Sequence, residues 1–182
     1  MDNPKKQLFI KITVGYQEAD IIGNDNKALQ AAVDYVAGLG GGLVEIGPGT
    51  FIINDSVHLR TKVTLRGQRG KTIFLKSDAI ESPLSLDGDF GEKQVTLKNP
   101  FGFMPGVGIS ITDNQSSAFH TTVGTISWAC GNTFGVNMPL GADYMVNQNA
   151  RAATTFPVIS CYHTKEVKIE NITIQGNKTK NS

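Results

Sequence analysis

Apolar residues recur along this chain in short groups whose apolar positions lie two residues apart. Five such groups follow one another at residues 44–46, 51–53, 57–59, 63–65 and 73–75. In each group we expect the outer two residues to face a core and the central residue to face outward, since side chains alternate along a strand. Gly, Pro, Asn and Asp separate the groups. Short strands with turn signals between them predict a coil that stacks on itself, and its successive turns are called rungs below.

A short amphipathic helix is predicted just before these strands. Either Asn24 or Asp25 is expected to cap its first turn, because a short side-chain oxygen accepts hydrogen bonds from the free N–H groups there. Glycines at 38 and 40–42 are expected to end the helix. Because a stacked coil exposes its first rung, we expect the apolar stripe of the helix to cover that end. The stripe consists of Leu29, Ala32, Val33 and Val36.

The remaining segments also read as strands. Residues 8–14 alternate apolar and polar side chains and are expected to form a strand. Hairpin-like strands are expected at 109–112, 122–128 and 134–136. The first pattern returns at 158–160 and in one strictly alternating run at 167–174.

We therefore expect a single domain, 1–182, with four parts. They are an N-terminal strand and cap helix at 1–42, the first rungs at 43–94, an inserted β excursion at 95–157 and a resumed rung at 158–182. The pattern stops without a capping element. Since an uncovered end of a stacked coil would expose unpaired strand edges, we expect the chain to be the N-terminal portion of a longer protein.

Two segments resemble one known family. The helix sequence ALQAAVDYVAGLGGG, followed by a strand, Pro-Gly-Thr and another strand within residues 26–67, is similar to the start of pectate-lyase superfamily proteins. Residues 167–177 resemble a later rung of the same family, and the excursion resembles an insertion seen in some members. The resemblance implies an all-β fold, a right-handed parallel β-helix with an α-helical cap. A small hairpin or barrel-like insertion would interrupt its N-terminal rungs.

The resemblance also implies a substrate class, an acidic polysaccharide of the pectin or alginate type. This architecture hosts lyases, hydrolases, epimerases and non-enzymatic spikes, so the fold does not choose among them. In active members the catalytic carboxylates, the Arg or Lys and any Ca²⁺ ligands usually sit on central rungs, which would lie beyond residue 182. No catalytic residue is therefore assigned. No cofactor is evident from the residues, and Ca²⁺ is implied by the resemblance alone.

Charge and composition reduce the number of partner classes that we expect. Seventeen Lys and Arg against sixteen Asp and Glu give a net charge of +1, which indicates neither nucleic acid nor an anionic membrane as partner. No apolar run reaches the roughly 20 residues that span a bilayer, and residues 1–20 lack a signal-peptide core. The resemblance nevertheless implies a secreted, cell-surface or virion protein. Cys130 and Cys161 are expected as either one disulfide or two unpaired core thiols.

Five residues are candidates for substrate binding. Lys168, Glu170 and Lys178 belong to a basic final stretch, which would attract the carboxylates of uronic-acid polymers. A solvated rung face, with Lys168 paired to Glu170, explains them as well. Trp128 and Tyr144 carry rings that either stack on sugars or fill a small β core.

Other polar groups are weaker candidates. Asp87, Asp89 and Glu92 could together bind Ca²⁺ or act as an acid and base, but Asp-Gly is also good turn chemistry. The three histidines are isolated from one another, and a zinc site needs three or four converging ligands. No metal-binding residue is therefore assigned.

Two functions from different classes remain. The first is a carbohydrate-active enzyme, either a polysaccharide lyase, a glycoside hydrolase or an epimerase. The second is a non-catalytic structural or glycan-binding β-helix, such as a tailspike or cell-surface module, for which a homotrimer is expected. The lack of a convincing acid and base pair in the sequence favours the second.

Overall fold

The structure is a computed structural model that describes residues 10–115 and 120–181. Residues 8 and 9, where the first expected strand begins, lie outside the described residues. The described chain is mostly β, with a single α-helix. Within the described ranges, no helix has the length and apolar character needed to cross a membrane.

The elements follow one another in this order. They are β1 (Lys11–Gly15), β2 (Ile21–Ile22), α1 (Asn26–Gly38), β3 (Gly42–Ile46), β4 (Gly49–Ile53), β5 (Val57–His58), β6 (Val63–Arg66), β7 (Thr72–Lys76), β8 (Glu81–Pro83), β9 (Gln94–Thr96), β10 (Gly108–Thr112), β11 (Thr122–Cys130), β12 (Thr133–Val136), β13 (Arg151–Thr154), β14 (Ile159–Ser160), β15 (Lys168–Glu170) and β16 (Thr173–Gln175). Short 3₁₀ turns lie at Val146–Gln148 and Lys178–Lys180.

The chain divides into two compact units. The first comprises the described part of Met1–Ser77 together with Pro157–Lys178, and the second comprises Asp78–Phe156 with the described part of Thr179–Ser182. The second unit thus begins earlier than residue 95, where the inserted excursion was expected. The reason is that β8 pairs antiparallel with β13, so residues 78–94 fold with the insertion and not with the first rungs.

Every described strand pairing in the first unit is parallel. One sheet has the order β15-β6-β3-β1-β2, a second has β16-β7-β4, and β14 pairs with β5. From β3 onward, consecutive strands of this unit enter different sheets, and later strands return to the same sheets. Each returning strand is hydrogen-bonded in parallel to an earlier strand of its sheet, and we keep the word rung for each such set of strands.

Like residues stack between rungs to form the core of the first unit. Val44 of β3 pairs in register with Leu65 of β6, and Phe51 of β4 with Phe74 of β7. All four are fully buried, and the two phenylalanine ring centroids lie 6.0 Å apart. Burying such a side chain contributes about 1.5–3 kcal/mol to the free energy of unfolding.

Strand β7 faces the core with the opposite set of residues from the expected one. In the group 73–75 the outer two residues were expected to point inward. Instead the central Phe74 is fully buried, together with Thr72, while Ile73 and Leu75 are half-buried. The reason is the register, because stacking Phe74 on Phe51 fixes the alternation of the whole strand.

The expected single strand at 167–174 is in fact two strands, β15 and β16. Asn171 between them has a φ of 58°, in the left-handed region that Asn tolerates better than most residues. The chain therefore bends at this residue. As a result β15 joins the sheet of β6, and β16 joins the sheet of β7.

The helix α1 has the expected cap and apolar stripe. Asp25 is the N-cap, and its carboxylate accepts from the backbone N of Lys27 and of Ala28, each at 3.0 Å. The stripe of Leu29, Ala32, Val33 and Val36 is completely buried. The C-terminal glycines carry positive φ angles, 96° at Gly40 and 110° at Gly41.

The second unit is built on an antiparallel sheet, as the hairpin-like pattern predicted. Its strand order is β8-β13-β10-β11-β12-β9. Its core includes Ile109, Ile111, Phe134 and Tyr144. The two ends of the insertion are joined to each other, since the N–H of Thr154 donates to the carbonyl of Ile80 and the N–H of Ile80 donates to Thr154 Oγ1, both at 2.9 Å.

Replacing Asp25 with Ala should lower the free energy of unfolding by about 1 kcal/mol, because two N–H groups of the first helical turn lose their acceptor. Urea denaturation followed by circular dichroism measures this loss. Asn24→Ala is the matched control, since the cap bonds come from Asp25, and it should change the free energy by less than about 0.5 kcal/mol. Equal losses in the two variants would contradict this assignment of the cap.

Candidate functional site

The outer face of the first parallel sheet carries two rows of side chains from successive rungs. The strand registers place Lys11, Leu43, Thr64 and Lys168 in one row. The second row contains Thr13, Glu45, Arg66 and Glu170. Neighbouring strands lie about 4.8 Å apart, so side chains in one row are within reach of each other.

Two ion pairs connect neighbouring rungs on this face. Lys11 Nζ lies 2.5 Å from Glu45 Oε2, and Arg66 Nε lies 2.6 Å from Glu170 Oε2. Glu170 is thus paired with Arg66 and not with Lys168, its expected partner. All four side chains are substantially exposed, so each pair contributes about 0–1 kcal/mol to stability. Their main effect is that the carboxylates of Glu45 and Glu170 are each paired with a cation.

A groove of about 820 Å³ lies over β6 and β15, and we call it the β6–β15 groove. The polar side chains that line it are Lys62, Thr64, Arg66, Glu166, Lys168 and Glu170. Once Arg66 and Glu170 are paired, Lys62, Lys168 and Glu166 remain without an ion-pair partner among the described residues. The groove therefore presents two available cations and one available carboxylate.

Glycine backbone forms part of the groove wall. At Gly41, where φ is 110°, an added Cβ would lie 2.4 Å from the Cβ of Lys62 and 2.6 Å from its carbonyl oxygen. At Gly42 an added Cβ would lie 2.4 Å from the carbonyl oxygen of Ile10. Side chains are therefore excluded from both positions. The close approach of the glycine backbone keeps Lys62 beside this wall of the groove.

The structure brings together two of the five predicted binding residues. Lys168 and Glu170 both line the β6–β15 groove, on β15. Lys178 belongs to the same unit but lies exposed in a 3₁₀ turn and is not a lining residue. Trp128 is 43% exposed on β11 of the second unit.

Tyr144 is a core residue of the second unit. Its side chain is completely buried. Its hydroxyl lies 2.7 Å from Thr122 Oγ1 and also donates to the carbonyl of His120. Both faces of the ring are covered, so Tyr144 has no surface on which a sugar could stack, and we leave it out of the candidate site.

Sequence reasoning missed four polar residues of the groove, Lys62, Thr64, Arg66 and Glu166. A signal for Arg66 does exist in the sequence. If the apolar residues Leu65 and Ile169 are aligned between rungs, as they are in the structure, Arg66 falls beside Glu170. Lys62 and Glu166 lie at turns with positive φ angles of 64° and 56°, which no alternation pattern predicts.

Asp87, one of the weaker candidates, makes a structural contact. Asp87 Oδ1 accepts from the N–H of Val146 at 2.6 Å, so this carboxylate holds a turn of the second unit. Among the described residues no three His, Cys, Asp or Glu side chains group as metal ligands. Cys130 and Cys161 are unpaired, as the second of the two alternatives had it, but both are exposed and neither is a core thiol.

Two titratable groups of the first unit depart from their ordinary values. Hydrogen bonds from Thr13, the side-chain bond first and the backbone bond second, lower the pKa of the Asp20 carboxyl. Thr13 Oγ1 donates to Asp20 Oδ2 at 2.7 Å and accepts from the Asp20 N–H at 2.8 Å. This reciprocal contact fixes the connection between β1 and β2. Burial lowers the pKa of Lys76, at the end of β7.

Comparison with solved structures gives partial matches, among them three phage tailspikes. No family model matches the chain, and no curated protein does. The Gp54 tailspike of Acinetobacter baumannii bacteriophage AP22, solved in complex with A. baumannii capsular saccharide, is 11% identical with a TM-score of 0.41, covering 81% of this chain and 31% of that one. The Pseudomonas phage phi297 tailspike gp61 is 13% identical with a TM-score of 0.41, covering 81% and 30%. The Pseudomonas phage LKA1 tailspike gp49 is 18% identical with a TM-score of 0.38, covering 81% and 31%.

Replacing Thr13 with Ala should raise the pKa of Asp20 toward its ordinary value of 3.8, because the hydroxyl that stabilises the carboxylate is removed. An NMR pH titration of the carboxyl measures this change. Since the folded pKa is lowered, the stability from this contact is present above the unfolded pKa and is lost as the pH falls through the folded pKa. Thr13→Ser keeps a hydroxyl and should keep the low pKa; a raised pKa in this variant would count against the hydroxyl as the cause.

Proposed function

We propose that this chain forms part of a right-handed parallel β-helix that binds an acidic glycan along the β6–β15 groove. The observation that carries the proposal is the in-register stacking of β3, β6 and β15, which places Lys168 and Lys62 around one open groove. A stacked sheet is a rigid frame, so little ordering is required when a polymer binds.

The charges of the groove favour a polyanion with regularly spaced carboxylates. Lys62 and Lys168 are both exposed and without ion-pair partners among the described residues. A groove lined by such cations attracts carboxylates and raises their local concentration. Thr64 and Glu166 add groups that can bind sugar hydroxyls. A uronic-acid polymer supplies both the carboxylates and the hydroxyls.

Binding without cleavage is the function that the groove supports better. Elimination beside a uronate carboxylate needs a free cation on that carboxylate and a base on the neighbouring proton. The guanidinium of Arg66 is already engaged by Glu170, at 2.6 Å. Inverting hydrolysis needs two carboxyl groups about 6.5–9.5 Å apart, and Glu166 is the lining carboxylate left without an ion pair. We therefore favour a structural or adhesive module over a lyase or hydrolase.

The proposal extends to location and assembly. A module that binds acidic polysaccharide meets its ligand at a cell surface or on a virion that approaches one, and we place the protein there. A tailspike-like assembly would be a homotrimer. Multi-angle light scattering of the chain measures the molar mass and so tests the assembly separately from binding.

Replacing Lys62 and Lys168 with Gln together should weaken binding to polygalacturonate and alginate about two- to tenfold, because the exposed cations are lost while their alkyl stems remain. Isothermal titration calorimetry at 50 and 500 mM NaCl measures the affinity, which should fall with salt. The same samples should release neither unsaturated ends nor new reducing ends.

The matched control is the double variant Lys27→Gln with Lys71→Gln. Both control residues are exposed lysines of the first unit that do not line the groove, so the net charge changes equally. Affinity should be unchanged in this control. If both double variants lose affinity equally, binding follows net charge and the groove assignment fails. Release of unsaturated ends or of new reducing ends would contradict binding without cleavage and would support an enzyme instead.

A further inference from the structure

The second unit carries a tryptophan on the outer face of its antiparallel sheet. Trp128 of β11 pairs in register with Gly135 of β12, and Gly135 pairs with Gln94 of β9. The neighbouring row on this face contains Cys130, Thr133 and Thr96. Between the two rows, Phe134 and Val95 are buried on the inner face. We call Trp128, Gly135, Gln94, Thr133 and Thr96 the Trp128 platform.

A β-bulge places Trp128 on this outer face. Ile126, two residues earlier on the same strand, is buried, and without an irregularity Trp128 would share its direction. The register shifts between Ile126 and Trp128, so that one extra residue, Ser127, re-aims the strand. The backbone thus departs from a regular ladder at the point where a large apolar ring is turned toward solvent.

The indole ring lies directly over Gly135. A Cβ added to Gly135 would lie 2.0 Å from Trp128 Nε1, 2.3 Å from Cε2 and 2.4 Å from Cδ1. The ring therefore occupies the space where a cross-strand side chain would stand, an arrangement in which an aromatic ring covers a glycine. Trp128 is still 43% exposed, so one ring face is fixed against the sheet and the other is open.

The groups around the ring are polar and uncharged. The hydroxyls of Thr96 and Thr133 lie 3.1 Å apart, with Gln94 in the adjacent row. Within the described ranges, neither Trp128 Nε1 nor the Gln94 amide has a hydrogen-bond partner in the protein. No charged residue stands in the two rows. This surface therefore offers a flat apolar face bordered by neutral hydrogen-bonding groups.

We propose that the Trp128 platform binds the apolar face of a neutral pyranose ring. The C–H face of the sugar stacks on the open indole face, and its hydroxyls bond the amide of Gln94 and Nε1 of Trp128. The inference deepens the proposed glycan-binding function by adding a second contact. The platform lies in a different unit from the β6–β15 groove and binds through a different chemistry. An experiment can therefore contradict one site and leave the other supported.

The test uses the emission of Trp128, which is the only tryptophan in the chain. The probes are neutral pentasaccharides of β-1,4-glucose, β-1,4-galactose, β-1,4-mannose and α-1,4-glucose, titrated in 0.5 M NaCl to suppress binding by charge. At least one should give a saturable change in emission, and the variant without Lys62 and Lys168 should give the same change. Failure of all four probes would overturn the proposal.

Gly135→Ala tests the packing of the indole ring over residue 135 and keeps the tryptophan. Its new methyl would occupy the position of the ring, and φ at residue 135 is not in the left-handed region, so Ala fits the backbone. We expect affinity to fall about two- to tenfold, the size of one aromatic stacking contact. Phe101→Ala removes another exposed ring of the same unit and should leave the affinity unchanged. Unchanged affinity in Gly135→Ala would also overturn the proposal.

A second measurement does not depend on any variant of the platform. In a Cys161→Ser background the remaining thiol is Cys130, exposed and two residues from Trp128 on the same face. A bound pentasaccharide should slow its alkylation by iodoacetamide, in step with the emission change. An emission change without protection of Cys130 would place the sugar elsewhere and contradict the platform.

Discussion

The structure depends on the in-register hydrogen bonding of parallel strands from successive rungs. The buried pair of Val44 and Leu65 fixes that register, and Ile169 pairs with Leu65 on the other side. Because side chains alternate along a strand, the same register decides which residues meet on the outer face. A slip by one residue would turn Arg66 toward the core and Leu65 toward solvent. The charge pattern of the β6–β15 groove is therefore a consequence of how the apolar residues pack.

The two candidate surfaces differ in the regularity of the strand pairing beneath them. In the first unit a regular ladder brings Arg66 beside Glu170 and leaves Lys168 without an ion pair among the described residues. In the second unit an irregular ladder turns Trp128 outward over Gly135. The groove attracts charge over a distance that salt shortens. The platform acts only in contact, through shape and stacking.

Local signals in the sequence predicted what depends on neighbouring residues. The stripe of α1, its cap, the hairpin-like strands and the outward position of Lys168 all follow from spacing within one segment. Features that depend on distant partners escaped prediction. The direction of Phe74 follows from Phe51, and the pairing of Glu170 follows from Arg66. For Tyr144 the sequence left two alternatives open, and the packing of several strands decides for the core. The bend at Asn171 is a single dihedral angle that alternation does not encode.

The contact between Ile80 and Thr154 has a consequence for the order in which the chain folds. Strands β5 and β14 are neighbours in the first unit, yet residues 59–158 separate them in the sequence, and 78–156 of these belong to the second unit. Joining them while the intervening chain is unstructured would carry the entropy cost of closing a long loop. The hairpins of the second unit are local and can form early. Once they do, the two hydrogen bonds at 2.9 Å bring the ends of the insertion together. The final rung can then add as if only a short connection preceded it.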